Sequence, residues 1–211
     1  MIALTVSDLM EGNDAFLRIS ELERRRKEYG VPDAICIRND SFTEETFTDI
    51  IEACKIWNGD LILESHSVNI VTKALVRCMD KHPMLIGASE YSLDQFCTAA
   101  KMFGCRLCLS NDKLESLMDM VMQARVAGVY EIVLDPGIKN MKTCLETCTE
   151  IDRLGRIVPE ACYPVAVRVW SGEYAMSVGA VALLISDNVV IADDLDADIC
   201  ETLGDFLRSV R

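Results

Sequence analysis

The 211-residue sequence predicts an α/β fold, a single (β/α)8 or TIM barrel in which eight parallel strands are enclosed by outer helices. Short apolar runs rich in β-branched residues alternate with amphipathic helical stretches from one end of the chain to the other. Continuous apolar runs are typical of parallel strands that are buried on both faces. Eight strand–helix pairs can be counted, and eight such units close into a barrel, whereas open doubly wound sheets more often stop at about five or six.

The prediction of a barrel depends on eight predicted strands. They are, in chain order, Ile2–Asp8, Ala34–Asp40, Leu61–Ser65, Met84–Ser89, Arg106–Asn111, Glu131–Asp135, Val165–Trp170 and Val189–Asp194. Strict alternation of strands with helices demands a parallel sheet with right-handed crossovers. No linker rich in Gly, Ser or Pro interrupts the pattern, so residues 1–211 are expected to form one domain.

Helices are predicted between the strands from apolar residues that recur three and four positions apart. They include Glu11–Gly30, Thr43–Trp57, Lys113–Ala127 and Ala197–Val210. The side-chain oxygens of Ser92, Asn111 and Asp112 are expected to cap backbone amides at helix starts. Gly104 and Gly128 are expected to end the helices that precede them.

The net charge of −13 argues against nucleic acid as a partner, because phosphate binding needs clustered Lys and Arg. The one basic run, Arg24–Lys27, is flanked by Glu21, Glu23 and Glu28, and a solvated helix face explains it better than a binding patch. No run of about 18 or more apolar residues occurs, so no membrane span is predicted. The N-terminus lacks the basic start and cleavage site of a signal peptide, and the protein is therefore expected in the cytoplasm.

Ten cysteines in a cytoplasmic chain are expected to stay reduced and to pack as small apolar residues. Cys105 and Cys108 have redox spacing, but they enter a strand and lack the helix N-terminus that lowers a thiol pKa. Cys144 and Cys148 lie one helical turn apart and can face each other. Structural cysteines are therefore favoured over a zinc site or a cluster. Ten methionines beside ten cysteines suit an anaerobic host.

Several kinds of catalytic site find no support in the sequence. His66 and His82 are the only histidines, and they fall at opposite ends of the predicted barrel. His66 beside Glu64 could ligand a metal, but nothing else supports it, and no metal site is predicted. A Gly-rich phosphate loop, a nucleophile elbow and a strand lysine for Schiff-base chemistry are also absent from the sequence.

Candidate ligand-binding residues come from the C-terminal ends of the strands, because barrels of this class bind ligands at that face. This rim is polar and mostly acidic in the sequence. The candidates are Arg38, Asn39, Glu64, Asn111 and Asp135. A polar rim is expected of any such barrel, so about half of the rim residues are expected to be helix caps or loop partners.

The sharpest local motif is LDPG at Leu134–Gly137, directly after the sixth strand. The carboxylate of Asp135 could accept hydrogen bonds from a ring N–H or amino group of a bound heterocycle, although a role in fixing the turn or capping the next helix is favoured. The motif resembles the Asp-Pro context of pterin-binding barrels such as dihydropteroate synthase and methyltetrahydrofolate methyltransferases. The candidate ligand is therefore a pterin, tetrahydrofolate or tetrahydromethanopterin. Those families also place an Asp after strand three and an Asn after strand four, where this sequence has Glu64 and Gly87–Ser89.

A longer series of motifs resembles one family over nearly the whole chain. The series runs IALTVSD, DAICIRNDS, LILES, HPMLIGAS, VYEIVLDPGIKNMKTCLETCTEIDRL, CYPVAVRVW and NVVIADD. It is similar to the barrel domain of the corrinoid iron-sulfur protein large subunit, the gamma subunit of acetyl-CoA decarbonylase/synthase, which works with CO dehydrogenase. Glu131–Leu154 is the most specific segment, because LDPG is followed at a matching distance by T-x-I-D-R-L.

The resemblance implies a role in one-carbon metabolism. In that family the large subunit has an N-terminal iron-sulfur domain with four cysteines, a central barrel and a C-terminal corrinoid-binding domain. The complex carries a methyl group between a methyltransferase and acetyl-CoA synthase, and the barrel serves chiefly to dock on the small subunit, itself a barrel. Residues 1–211 are expected to contain the barrel alone, with no iron-sulfur domain and no corrinoid-binding domain.

Three hypotheses follow for function. The leading one is a docking or accessory component for corrinoid-dependent methyl transfer, without independent catalysis. Its expected partners are a corrinoid protein, a small-subunit-like barrel or a methyltransferase, and it would meet the corrinoid only through a partner. The alternative is a pterin-binding, methyltransferase-like enzyme that uses Asp135, assisted by Glu64, Asn39 and Asn111. The third is an unrelated barrel enzyme whose acidic rim binds a cationic or metal-bound substrate.

Overall fold

The computed structural model describes residues 1–138, 140–157, 162–169, 175–185 and 188–210. Eight parallel strands form a barrel, and a helix follows each strand on the outside, so the predicted fold class is confirmed. The strands are β1 (Ile2–Ser7), β2 (Ala34–Arg38), β3 (Asp60–Glu64), β4 (Met84–Ala88), β5 (Arg106–Ser110), β6 (Ile132–Asp135), β7 (Ala166–Val169) and β8 (Val189–Ala192). The helices are α1 (Gly12–Tyr29), α2 (Glu44–Ala53), α3 (Val68–Cys78), α4 (Leu93–Phe103), α5 (Leu114–Val126), α6 (Met141–Ile157), α7 (Ala175–Ile185) and α8 (Ala197–Val210).

The sheet runs in the order β6-β5-β4-β3-β2-β1-β8-β7, and its neighbouring strands are joined by parallel ladders. The barrel closes between β6 and β7. Within the described residues this closure consists of one bridge, between Leu134 and Val165, in which the amide of Leu134 donates to the carbonyl of Pro164 at 2.8 Å. The junction between β6 and β7 is thus the least regular of the eight.

The lumen of the barrel is filled by one alternating set of strand residues, because successive side chains of a strand point to opposite faces. The buried set is Ala3, Ala34, Cys36, Ile62, Met84, Ile86, Cys108, Val133, Ala166, Val189 and Ile191. The opposite faces of the strands pack against the helices in a larger core, which includes Phe47, Trp57 and Phe96. The same alternation decides which polar residues face inward at the mouth.

All eight predicted strands are present, but most predictions extend one or two residues too far toward the mouth. For example, β1 ends at Ser7 and β8 at Ala192, because the polar residues that follow leave the ladder for the loops. Trp170, the predicted end of the seventh strand, lies outside the described residues. The helix predicted to reach Trp57 ends at Ala53 and continues as a short 3-10 turn.

The predictions for the helix ends are confirmed only in part. Gly104 and Gly128 follow α4 and α5 with left-handed φ angles of 64° and 90°, as predicted. The cap predicted at Ser92 is wrong, because its hydroxyl accepts from the amide of Ser89 in the preceding turn instead of a helix amide. The side-chain oxygen of Asn111 accepts from the amide of Lys113 at 3.0 Å. The helix α5 begins at Leu114, one residue later than the predicted start at Lys113.

None of the ten cysteines forms a disulfide, and nine are buried, in agreement with a structural role. Burial raises the pKa of the Cys105 thiol to about 11 and also raises the pKa of Cys108. The thiols of Cys144 and Cys148 face each other, and their mutual hydrogen bond is the main cause that raises the pKa of Cys148. Cys162 is exposed.

The basic run on α1 is engaged with acidic neighbours on the same helix. Arg24 pairs with Glu21 and Glu28, and Arg26 pairs with Glu23 while its guanidinium lies 5.6 Å from the centre of a Trp57 ring. The predicted solvated helix face is therefore confirmed for Arg24, whereas Arg26 is partly buried. No helix in the described part of the chain is long and apolar enough to cross a membrane.

Candidate functional site at the barrel mouth

Strand alternation places charged side chains in the last inward layer of the barrel. Cys36, Cys108, Val133, Ala166 and Ile191 face the lumen, so the residues two positions further along each strand face it too. At the mouth these residues are Arg38, Ser110, Asp135, Arg168 and Asp193, with Glu64 two positions after Ile62. The apolar lumen therefore ends in a charged layer at the C-terminal face.

Arg168 of β7 joins two carboxylates across this layer. Its Nη1 donates to Glu64 Oε2 at 3.1 Å, its Nη2 lies 3.0 Å from Glu64 Oε1, and its Nε donates to Asp135 Oδ2 at 3.3 Å. Burial lowers the pKa of the guanidinium, but attraction and hydrogen bonding to Glu64, followed by attraction to Asp135, outweigh burial and raise it. Arg168, Glu64 and Asp135 are called the central cluster below.

Asp135 is oriented by its own turn. Its Oδ1 accepts from the amide of Gly137 at 3.1 Å, which fixes the LDPG turn, and Gly137 has a left-handed φ of 66°. Its Oδ2 accepts from the hydroxyl of Ser110 at 3.2 Å in addition to Arg168. The carboxylate thus has partners from β5, β7 and its own loop, and it is buried.

Glu64 stands directly above an apolar layer of the lumen. The Cys36 thiol lies beneath it and donates to Glu64 Oε2 at 3.6 Å. Burial, and then the negative charge of Glu64, raise the pKa of Cys36 well above its usual value. This thiol therefore stays protonated, and it is unsuited to be a nucleophile.

A second ion-paired group, called the rim cluster below, lies beside the first. The Nε of Arg38 is 3.0 Å from both carboxylate oxygens of Asp40, and its Nη1 donates to Asp193 Oδ1 at 3.0 Å. Ser7 also donates to Asp40, at 2.5 Å. Arg38, Asp193 and Ser7 line an open cleft of about 370 Å³, to which Thr5, Met10, Arg18 and Asp194 also contribute.

Asn39 belongs to a buried network beside the mouth. Its Nδ2 donates to Asp8 at 2.7 Å, and its Oδ1 accepts from the hydroxyl of Ser65 at 2.9 Å. Asp8 also accepts from the amide and the hydroxyl of Ser41, at 2.8 and 2.6 Å. These bonds fasten the loop between β2 and α2, in which Phe42 has a left-handed φ of 55°. Asn39 therefore supports a loop and is not part of the central cluster.

Asn111 is also engaged outside the central cluster. Its Nδ2 donates to Glu90 at 2.8 Å, and its oxygen holds the start of α5. Of the five residues that the sequence nominates, the structure brings Glu64 and Asp135 together through Arg168 and places Arg38 in the adjacent rim cluster. Asn39 and Asn111 lie apart from both clusters.

Arg168 lies at the centre of the site but is not among the five candidates named from the sequence. Its signal is present in the sequence, because VAVRVW has one charged residue inside an apolar strand. Strand alternation from the buried lumen residue Ala166 assigns Arg168 to the inward face. An arginine at an inward strand position needs buried acceptors, and Glu64 and Asp135 are the acidic residues that end strands on the same face.

The loops around the mouth carry large apolar side chains in solvent. Leu9 follows β1, Phe42 follows β2 and Tyr91 follows β4, and they are 68%, 76% and 99% exposed. Glu44 and Glu45 come directly after the Phe42 loop, so the apolar rim is bordered by acidic residues. We call these three side chains the apolar rim.

The described residues contain no group of three or more His, Cys, Asp or Glu side chains placed to hold a metal ion. His66 Nδ1 lies 3.4 Å from the carbonyl of Gly87 near the mouth. His82 lies at the start of β4, where its Nδ1 is 3.3 Å from the carbonyl of Phe103. The two histidines are at opposite ends of the barrel, as predicted.

Comparison with protein families gives a match over most of the chain. The family described as CO dehydrogenase/acetyl-CoA synthase delta subunit matches residues 1–166. The acetyl-CoA decarbonylase/synthase complex subunit gamma of Methanothermobacter thermautotrophicus is 37% identical over 122 residues, which are 57% of this chain and 27% of that protein. The corrinoid/iron-sulfur protein large subunit of Moorella thermoacetica is 24% identical over 159 residues, 72% of this chain and 35% of that protein. The chain thus spans about a third or less of the length of these curated relatives.

Solved structures share the fold at low sequence identity. Dihydropteroate synthase from Thermus thermophilus superimposes with a TM-score of 0.75 at 12% identity, covering 100% of this chain and 94% of that one. Yersinia pestis dihydropteroate synthase with a pterine-sulfa conjugate gives a TM-score of 0.72 at 14% identity, with coverage of 100% and 94%. At this identity the likeness establishes the barrel fold alone.

Proposed function

Because the chain belongs to the CO dehydrogenase/acetyl-CoA synthase delta subunit family, we propose that this barrel docks on partner proteins of corrinoid-dependent methyl transfer. The family assignment makes the chain a barrel component of the acetyl-CoA pathway of one-carbon metabolism. The docking role, the partners and the face of the barrel are our proposal.

One observation carries the proposal: the charged groups at the centre of the mouth are paired with one another, while apolar side chains around them are exposed. Arg168 engages both Glu64 and Asp135. Phe42 and Tyr91, by contrast, present apolar surface to solvent. Aromatic side chains are enriched at protein–protein contact sites relative to the rest of the surface.

In this proposal residues 1–211 act as a single barrel domain, and the iron-sulfur cluster and the corrinoid are held outside it. The names of the relatives, which are subunits of a multi-subunit complex and a corrinoid/iron-sulfur protein, support such an arrangement. The partner would be a corrinoid protein, a small-subunit-like barrel or a methyltransferase. The acidic border of the apolar rim favours a partner with basic residues around an apolar depression.

The test is binding of the purified chain to the corrinoid/iron-sulfur protein of the same host, measured by biolayer interferometry under anaerobic conditions. We expect the double variant Phe42→Ala/Tyr91→Ala to bind about 10-fold more weakly, because it removes two exposed aromatic contacts. Val126→Ala on α5 is the matched control, since Val126 is 87% exposed but lies away from the mouth. Equal binding by all three proteins, or no binding by the wild-type chain, would contradict the proposal.

A second candidate function is binding of a pterin at the mouth, and the orientation of Asp135 by Gly137 and Ser110 favours it. In this case Arg168 would have to leave Asp135 before a heterocycle could bind. Calorimetric titration with tetrahydrofolate and with tetrahydromethanopterin tests it. Binding that is lost in Asp135→Asn and kept in Asp193→Asn, the matched rim variant, would support a pterin ligand. The absence of heat with both compounds would remove it.

A further inference from the structure

The central cluster has the geometry of a complex between a planar cation and its binding groups. All three nitrogens of the Arg168 guanidinium have a carboxylate oxygen within 3.3 Å. Glu64 meets Nη1 and Nη2 as a two-pronged partner, and Asp135 meets Nε from another side. Such a forked arrangement is specific for planar donors and is not satisfied by a point charge such as an ammonium group.

Strand pairing alone does not bring these two carboxylates together. Glu64 ends β3 and Asp135 ends β6, and two strands, β4 and β5, stand between them in the sheet. The side chain of Arg168 reaches both from β7, and it does so above the apolar layer that contains Cys36, Cys108 and Val133. The guanidinium is thus enclosed by acceptors at its edge and by apolar groups below, as small ligands are in barrel mouths.

We propose that Arg168 is a built-in occupant of the barrel mouth, whose guanidinium fills the place that a planar ligand with adjacent N–H donors would take. The ligand class is a heterocycle with a ring N–H next to an exocyclic amino group, which presents the same pair of donors as a guanidinium edge. Arg168 thereby excludes such ligands from the wild-type mouth. The inference rests on the proposed docking function and deepens it, because it explains how a barrel that docks on other proteins keeps small ligands out of its mouth.

Removing the side chain should open a site for such ligands. In Arg168→Ala, the N-ethylguanidinium ion replaces the atoms lost beyond Cβ, and we expect it to raise the Tm by about 3 °C at about ten times its Kd. Ethylammonium has the same charge without the planar fork and should give no such shift. The wild-type protein should not respond to either ion. Pterin, 2-amino-4-hydroxypteridine, should bind Arg168→Ala at least about 10-fold more tightly than the wild-type chain.

Equal responses of wild-type protein and Arg168→Ala, or equal effects of the two ions on Arg168→Ala, would overturn the inference. If Arg168→Ala does not fold, the wild-type protein itself provides the test. The Nε–H signal of Arg168, identified by its loss in Arg168→Lys, should exchange with solvent at least about 10-fold more slowly than that of Arg24 on the exposed face of α1. Exchange at the same rate would overturn the inference.

The same samples separate this inference from the docking function. If the wild-type chain binds the corrinoid/iron-sulfur protein but Arg168→Ala is insensitive to N-ethylguanidinium, only the inference about Arg168 fails. If N-ethylguanidinium stabilises Arg168→Ala but the wild-type chain binds no corrinoid/iron-sulfur protein, only the docking function fails.

Discussion

Two arginines lie at the mouth of the barrel, and each bridges two carboxylates, yet the clusters around them differ. In the rim cluster, Arg38 meets Asp40, two residues away in the same chain segment, and the side chains are 30% exposed. In the central cluster, Arg168 meets Glu64, which is 104 residues away, and the two side chains are 21% and 15% exposed. Arg38 also meets Asp193, 155 residues away, so both clusters join distant parts of the chain, and what separates them is that the rim cluster is more exposed to water.

From this difference we expect the same pair of residue types to contribute differently to stability at two depths. An ion pair in contact with water is stabilised little, because water solvates the separated charges almost as well. A pair removed from water has already lost its hydration, so the loss of one partner leaves a charge that nothing else satisfies. The central cluster is therefore expected to be sensitive to single substitutions, and the rim cluster tolerant of them.

The largest expected effect comes from Arg168→Met. We expect the free energy of unfolding at neutral pH to fall by about 3 kcal/mol, because Glu64 and Asp135 then remain buried without a cation. Urea denaturation followed by circular dichroism measures the change. A loss as small as that of an exposed pair would mean that water enters the mouth and solvates the carboxylates, and the contrast between the clusters would disappear.

A compensating variant should restore most of this loss. Replacing both acids in Arg168→Met/Glu64→Gln/Asp135→Asn removes the uncompensated charges, and we expect it to recover about 2 kcal/mol relative to Arg168→Met. The measurement is again urea denaturation, with Glu64→Gln/Asp135→Asn in the wild-type background as the control. Additive losses in the triple variant would show that Arg168 stabilises the protein through packing instead of charge.

A third arginine–carboxylate pair, on α1, extends the comparison and depends on pH. The pKa of Glu23 is lowered to about 2, mainly by the hydrogen bond from Arg26. Burial acts in the opposite direction, and hydrogen bonds from Asn58 lower the pKa further. A lowered folded-state pKa stabilises the protein above the unfolded value of about 4.5, and this contribution disappears as the pH falls from there to about 2. We expect Glu23→Gln to lose about 2 kcal/mol at pH 7 and to match the wild type near pH 2. A constant difference between the two proteins across this pH range would contradict the role of the charge.

The smallest expected effect is that of Arg38→Met in the rim cluster. We expect a loss of less than about 1 kcal/mol, because Asp40 and Asp193 can be solvated when the cation is absent. The loss should shrink further in about 1 M salt, where exposed charges are screened. If Arg38→Met costs as much as Arg168→Met, the depth of a pair does not decide its contribution here.

The eight strands could be predicted from the sequence because apolar runs of strand length recur regularly between amphipathic helices. Their ends could not, because the polar residues after each run look alike whether they continue the ladder or begin a loop. Ser92 shows the same limit at a helix start, since a serine in that position can cap the helix or, as here, close the turn before it.

The candidate site could be predicted in part, and strand alternation predicts one more of its residues, Arg168, than the five candidates named from the sequence. The alternation of side chains separates Arg38, which faces the lumen, from its neighbour Asn39, which bonds to Asp8 outside it. The same rule assigns Glu64, Asp135 and Arg168 to the lumen. The partner of each charge could not be derived, because the sequence does not determine which side chains meet across a lumen at a given tilt and stagger of the strands.

Within the described residues one bridge joins β6 and β7, and this has a consequence for how the barrel opens. Ladders of backbone hydrogen bonds resist separation cooperatively, but one bridge offers little such resistance, so transient opening should begin at this junction. The contact from Arg168 to Asp135 crosses the same junction through side chains. Arg168 therefore adds an ion pair to the backbone bridge at this junction, and we expect the pair to prolong the closed state of the ring.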